Sequence, residues 1–269
     1  MNLTDRHRLL QAIFWSRPGL SAMRLYAFIS RRWEHVVMNR SLRPESNGEY
    51  WLFSLLPPSP LILDVGFNEG SFAREALAQR PQARVIGFEP ARSMQKEFAA
   101  RFAREPRIEL VPIALSDRRS EMDFYDSADG SSTLASGRPH AAQGYRVTST
   151  TLDDFTDERS ISRIDLLKID VEGYDLHVLE GAEQLLRRQS IDIFSFEYNE
   201  PWIDSRRFLK DAWSYLDDKP YSLFRLFNGF LAPFRYTHRA ERHDLGCIYV
   251  GVSRRRLEER PIPIRDMPH

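Results

Sequence analysis

Acidic side chains recur where short apolar runs give way to turn residues, in five separate segments: Asp64, Glu89, Asp117, Asp170 with Glu172, and Glu197. In an open α/β sheet the carboxyl ends of parallel strands share one edge where ligands bind, so these carboxylates would meet in one cleft. Each acid alone has an ordinary explanation as a helix cap or solvated turn residue; the recurrence points to a site. The most informative stretch is LILDVGFNEGSF, residues 61–72. Its apolar run leads to Asp64, Gly66 and Gly70 bracket three residues, and a helical pattern starts at Ser71. That is the pattern of a buried strand, a tight glycine turn and a helix start. Gly66 allows a sharp turn and a close approach of backbone to ligand. Glu89 lies 19 residues beyond Gly70, at the end of the apolar run RVIGFEP. A carboxylate there can accept hydrogen bonds from two ribose hydroxyls.

The loop has the form G-x-x-x-G preceded by an acid, whereas a dinucleotide site needs G-x-G-x-x-G. A dinucleotide site aims a helix N-terminus at anionic pyrophosphate. S-adenosylmethionine has no phosphate and carries a sulfonium and an ammonium, so an acid at Asp64 suits it and would repel phosphate. The alternative is a strand-turn-helix with no ligand, which the added presence of Glu89 disfavours.

The elements that must position these residues follow from periodicity. Helix-like ARSMQKEFAARFAREP succeeds Glu89, and IELVPIAL, EMDFYD and YRVTSTTL are extended. IDLLKID ends in Asp170, a helix spans DLHVLEGAEQLLRRQ with Leu176, Leu179 and Ala182 inward, and DIFSFEY is a further buried strand. RRFLKDAWSYLDD is helical, and YSLFRLF and CIYVGV close the domain as an antiparallel pair. Such alternation implies a doubly wound, mostly parallel sheet covered by helices on both sides. Residues 129–144, rich in Gly, Ser and Pro, are expected to form a loop or lid.

Three regions are expected: a helical N-terminal appendage over 1–50, the catalytic domain over 51–253, and a tail over 254–269 that is a mobile terminus. The stretch leading to the first strand, SLRPESNGEYWLFSLLPPSP, reads as a connector. Between residues 1 and 43 stand eight arginines against Asp5 and Glu34, a net charge of about +6 on two aromatic-bearing helices. These could meet a membrane surface, a nucleic acid or an anionic substrate, but cap helices or a dimer contact with arginines facing water is the favoured reading. Across 269 residues, 38 basic and 38 acidic side chains balance, which argues against wholesale nucleic-acid coating. The single cysteine, Cys247, excludes an intrachain disulfide and a cysteine-based zinc site. No apolar run reaches the roughly 18 residues of a spanning helix, and charges interrupt the first 20 residues, so a secretory signal is not expected. The simplest expectation is a soluble, cytoplasmic protein; oligomeric state is left open.

Five stretches, LILDVGFNEGSF, VIGFEP, PIALSD, STTLDDF and LLKIDVEGYDLHVLEGA, resemble in that order the FkbM-type S-adenosylmethionine-dependent methyltransferases. The resemblance covers roughly residues 61–198, and the run from Lys168 to Ala182 is its most specific part. It implies a seven-stranded Rossmann-like sheet and O-methylation of a hydroxyl on a sugar, glycolipid or natural product. By position, Asp64, Gly66, Asn68 and Gly70 would line the methionine end of the cofactor, Glu89 and the adjoining Pro90 the ribose, and Ser116 and Asp117 the adenine edge. Two departures stand out: Phe67 replaces the usual Ala of the loop, and Asp175 the usual Glu of the helix motif.

Methyl transfer to an alcohol is an in-line displacement whose rate depends on alignment and on removal of the hydroxyl proton, a contribution of about 10²–10⁴-fold. Candidate bases are Asp170 and Glu172 after the fourth core strand, with Glu197 after the next. Lys168 and Asp170 share one side of a regular strand, so Lys168 could orient Asp170 or lower its pKa. His177 is a further candidate, though packing is its more ordinary role. Clustered acids could bind Mg²⁺ or Ca²⁺, but the spacing matches no dedicated loop, and no metal is expected. The rival functions are a methyltransferase acting on RNA or protein through the basic N-terminal helices, and a non-catalytic cofactor-binding module. Acceptor contacts are expected from the N-terminal helices, the 130–144 loop and the aromatic segment 224–236, where Phe227, Phe230, Phe234 and Tyr236 could stack on a ring or simply pack.

Overall fold

A computed structural model describes residues 43–126, 132–133, 144–243 and 246–266, with positions 21, 25 and 39 besides. The chain divides into two compact units, residues 1–41 and 42–269, and the second holds all that follows. The expected N-terminal helices and most of the 130–144 loop lie outside the described residues.

Four strands carry nearly unbroken apolar runs and are buried on both faces, as central parallel strands must be: β1 (Leu61–Val65), β2 (Arg84–Phe88), β8 (Ile164–Ile169) and β9 (Ile191–Tyr198). With β3 (Ile108–Val111), β10 (Tyr221–Phe227), β11 (Phe230–Pro233) and β12 (Cys247–Ser253) they form one eight-stranded sheet in the order β11-β10-β12-β9-β8-β1-β2-β3. Strands β3, β2, β1, β8 and β9 are parallel, and β12 runs antiparallel to both of its neighbours. The chain works outward from β1 to β3, then returns to β8 on the other flank. Right-handed crossovers in opposite directions put helices on both faces and open a crevice at the switch point beside β1. The doubly wound sheet is therefore as expected. An eighth strand, β11, is added at the edge because Gly229, at φ +91°, turns the chain back on β10.

The run from 108 to 115 is not one strand. It breaks after β3, and Ala114–Leu115 (β4) joins a second sheet with β5 (Ser120–Asp126), β6 (Ser132–Thr133) and β7 (Tyr145–Thr150). The helix expected over DLHVLEGAEQLLRRQ is likewise two helices, Asp175–Glu180 and Glu183–Arg187. Gly181 between them abuts the Ser116 carbonyl, where a Cβ would come within 2.1 Å. Leu176, Leu179 and Ala182 nonetheless face the core as their spacing implies.

Both flanks of the domain differ from expectation. Residues 44–55 are no passive connector: a one-turn helix (Pro44–Asn47) and a 3-10 helix (Tyr50–Leu55) seat Leu52 and Phe53 fully inside the core. The tail packs on the domain up to residue 266. Ser253 caps the helix Arg254–Glu259 by accepting from the Arg256 amide. Buried Arg256 donates to the Leu55 carbonyl at 2.8 Å, and Pro263 and Arg265 exchange backbone hydrogen bonds with Leu231. No helix among the described residues is long and apolar enough to cross a membrane.

Candidate active site

The glycine loop is built by the residues around it. Gly66 and Asn68 both adopt positive φ, +84° and +49°, and the Gly66 and Phe67 amides both donate to the Phe88 carbonyl at 3.1 Å. A Cβ on Gly66 would lie 1.9 Å from the Asp170 carbonyl oxygen. The glycine thus serves the close approach of the β1 and β8 loops, where the sequence suggested approach to a ligand. Phe67, the departure from the family pattern, is accommodated by two other glycines. Its ring would collide with a Cβ on Gly87 at 2.1 Å or on Gly70 at 2.5 Å. The ring packs edge-on against Phe98 and Phe102 while still lining the cleft.

That cleft, about 310 Å³ in volume, lies at the carboxyl edge on both sides of β1. Toward β2 and β4 its wall is apolar, with Met94, Leu115 and Phe124; toward β8 it is charged, with Glu49, Lys168, Asp170 and Glu172. Among the expected cofactor residues, Gly66, Asn68, Glu89 and Pro90 line it. Glu89 is buried, its two carboxylate oxygens accepting from the amides of Asn68 (2.8 Å) and Ala91 (2.9 Å). It therefore fastens the loop that it faces.

Asp64, Gly70, Ser116, Asp117 and Glu197 do not line the cleft. Asp64 is wholly buried beneath it, in register with Lys168 on one side and Gly87 on the other. Neither of its carboxylate oxygens has a hydrogen-bond partner among the described residues, and Lys168 Nζ stands 3.5 Å away. Burial pushes its carboxyl up to about 7, against the pull of Lys168. Gly70 packs under Phe67. Ser116 is buried against Gly181, its hydroxyl donating to Asp117, so Leu115 rather than Ser116 reaches the cleft.

Of the candidate catalytic groups, Lys168, Asp170 and Glu172 come together in the cleft. Lys168 Nζ donates to Asp170 Oδ2 at 3.2 Å. Burial works against its charge, but Asp170, Asp64 and Glu49 outweigh burial and hold it cationic. Glu172 sits at φ +53°, and Gly173 after it at +94°, in the turn that leaves β8. Glu197 lies behind this group. Burial first, then the charges of Asp170, Glu49 and Glu172, push its carboxyl up to about 8. His177 stacks on Tyr174 with ring centroids 4.9 Å apart, outside the cleft wall. The aromatic segment packs as well: Phe227 on Phe230, and Phe234 between Trp213 and Tyr249. No group of three or more His, Cys, Asp or Glu among the described residues is arranged to hold a metal ion. Glu49, Tyr50 and Pro44 are cleft residues that sequence reasoning missed; the apolar set Leu52, Phe53, Leu55 and Leu56 beside them was read as part of a connector.

Residues 64–223 match the family model described as "Methyltransferase FkbM domain". The chain belongs to the FkbM methyltransferase family. Membership makes S-adenosylmethionine the cofactor, and the site fits it: an acid-rich cleft, a carboxylate at Asp64 buried beneath it without a hydrogen bond among the described residues, and a clamped Glu89 suit a cationic nucleoside and would repel pyrophosphate. Among relatives of this FkbM-family chain, "2-O-methyltransferase NoeI" of Sinorhizobium fredii is 31% identical over 49% of the chain and 60% of its own length. "Methyltransferase sdnD" of Sordaria araneosa is 25% identical over 48% and 62%. The "AMB antimetabolite synthetase AmbE" of Pseudomonas aeruginosa is 29% identical over 48% of this chain but 8% of its own. The chain thus spans less than two thirds of each of these relatives. A crystal structure of "Methyltransferase FkbM" from Methylobacillus flagellatus is 15% identical, covers 72% of this chain and 44% of its own, and has a TM-score of 0.47.

Proposed function

We propose that the protein transfers a methyl group from S-adenosylmethionine to a hydroxyl of a small-molecule acceptor such as a sugar, glycolipid or natural product. The observation that carries this reading is the pairing of Lys168 with Asp170 in a cleft whose other wall is the glycine loop fastened by Glu89. When bound, the cofactor supplies a methyl carbon made electrophilic by sulfonium. Glu89 accepts from the ribose hydroxyls, and the apolar wall at Met94, Leu115 and Phe124 takes the flat adenine. Asp170 takes the acceptor's hydroxyl proton on a carboxylate oxygen, and Lys168 aims that carboxylate by donating to its Oδ2. Glu172 is the alternative base, and Glu197 stands behind both with its carboxyl pushed up to about 8, so that it holds a proton at neutral pH. Such proton removal is worth about 10²–10⁴-fold. The relative named a 2-O-methyltransferase favours oxygen as the acceptor atom.

The test pairs calorimetry with transfer of a labelled methyl group to a panel of sugars, glycolipids and hydroxylated natural products. Asp170→Asn is expected to bind S-adenosylmethionine within about twofold of the native chain and to lose at least about tenfold in turnover. Native protein that shows neither heat nor a rise in melting temperature with millimolar S-adenosylmethionine would sink the reading. Label recovered on nitrogen would overturn the O-methyl part alone.

A further inference from the structure

Glu49 belongs to none of the sheet's strand ends and lies outside the segment that matches the family, which begins at residue 64. It nevertheless forms part of the cleft wall. Its place is fixed from two directions. Buried Asn47 donates from Nδ2 to Glu49 Oε2 at 3.0 Å and accepts from the Glu49 amide at 2.9 Å. Gly48, at φ +102°, presses on the β10–β11 turn so closely that a Cβ would come within 2.8 Å of the Phe227 carbonyl. A carboxylate held this way is preorganised and forfeits little side-chain freedom when it engages a ligand.

The charge around it is lopsided. Among the described residues, Glu49 and Asp170 share this end of the wall with one cation, Lys168, which is already held by Asp170 and by Asp64 beneath. Asp64 adds a fully buried carboxylate with no hydrogen bond among the described residues. A low-dielectric wall with excess negative charge favours a ligand portion that brings positive charge. Burial and Asp170 both raise the pKa of Glu49 while Lys168 lowers it, which marks the carboxylate as one that gains from a further cation.

We propose that Glu49 is a specificity-determining residue that reads the positive charge of the methyl donor, holding the sulfonium and amino-acid end of S-adenosylmethionine against this wall. This rests on the cleft being the donor site. It adds a contact supplied by a segment that precedes the family's matched region.

The experiment measures the affinity of the full chain for two probes by calorimetry. One is S-adenosylmethionine; the other is 5′-methylthioadenosine, which keeps the nucleoside and has neither the sulfonium nor the amino-acid charges. Glu49→Gln is expected to weaken S-adenosylmethionine at least tenfold and to change 5′-methylthioadenosine less than twofold. Glu49→Asp, which keeps the charge, is expected to recover most of the lost affinity. Equal weakening of both probes would assign Glu49 a structural role and overturn the proposal, as would unchanged affinity for S-adenosylmethionine. Should Glu49→Gln melt well below the native chain, Asn47→Ala, which frees the carboxylate without removing it, is compared in the same way, and the same two outcomes decide. Native protein that binds neither probe overturns the donor-site reading itself, and this inference with it.

Discussion

Glu197 shows how one side chain ties the cleft to the stability of the whole domain. Its carboxyl is pushed from an ordinary value of 4.5 to about 8, by burial first and then by Asp170, Glu49 and Glu172. The folded chain therefore keeps a proton that the unfolded chain has released. The stabilisation from this group is complete below pH 4.5, declines as pH rises, and is gone above about 8. Buried Asp64, raised to about 7, adds a slope of the same sign. Denaturant midpoints measured at pH 5 and pH 8 are expected to fall with rising pH, and Glu197→Gln is expected to flatten the fall. An unchanged slope in that variant would remove Glu197 as its source. The residues that carry this behaviour were partly legible in the chain. Asp64, Glu89, Asp170 and Glu197 each end an apolar run, and strand periodicity alone puts them at one edge. Glu49 was not legible, because it stands in the polar stretch between Pro44 and Tyr50, and its place depends on the Asn47 side chain and on the contact of Gly48 with the β10–β11 turn.

At the level of elements, the site depends on how tightly neighbouring loops are stacked. Phe67 occupies the space left by the absent side chain of Gly87, its partner strand's residue beside Asp64. Gly87→Ala puts a methyl where the ring lies and is expected to cost about 1–3 kcal/mol, the usual penalty for overpacking. If the collision with Phe67 is the cause, the double variant Gly87→Ala with Phe67→Ala melts above what the two separate losses would give. Simple addition would mean that the strain lies elsewhere. Nothing local to residue 87 announces this; the sequence shows a glycine inside a strand, a pattern open to several explanations. The same limit explains the other misread elements. The helix around Gly181 and the strand around Pro112 have continuous apolar periods, yet each is interrupted by packing against a distant backbone or by a change of sheet.

For the molecule as a whole, charge balance conceals local imbalance: 38 basic and 38 acidic residues cancel, while among the described residues Glu49 and Asp170 face the cleft beside one cation, Lys168. The wall's outermost piece, residues 44–55, is anchored through the Leu55 carbonyl to Arg256, 201 residues away. Removing residues 254–269 leaves that carbonyl without its guanidinium and exposes the flank of the 3-10 helix. A chain ending at Ser253 is expected to melt lower and to bind S-adenosylmethionine more weakly, with 5′-methylthioadenosine less affected. A truncated chain that matches the native one in both measurements would show the anchor to be idle.

The Arg256–Leu55 contact also sets an order of events during synthesis. The ribosome makes Glu49 and its turn early, but the guanidinium that secures them emerges some two hundred residues later. On the proposed role of Glu49, a nascent chain that has completed its central strands still lacks the Arg256 anchor on the segment that carries this carboxylate, and discrimination of the donor's charge is expected to sharpen once the helix Arg254–Glu259 is made.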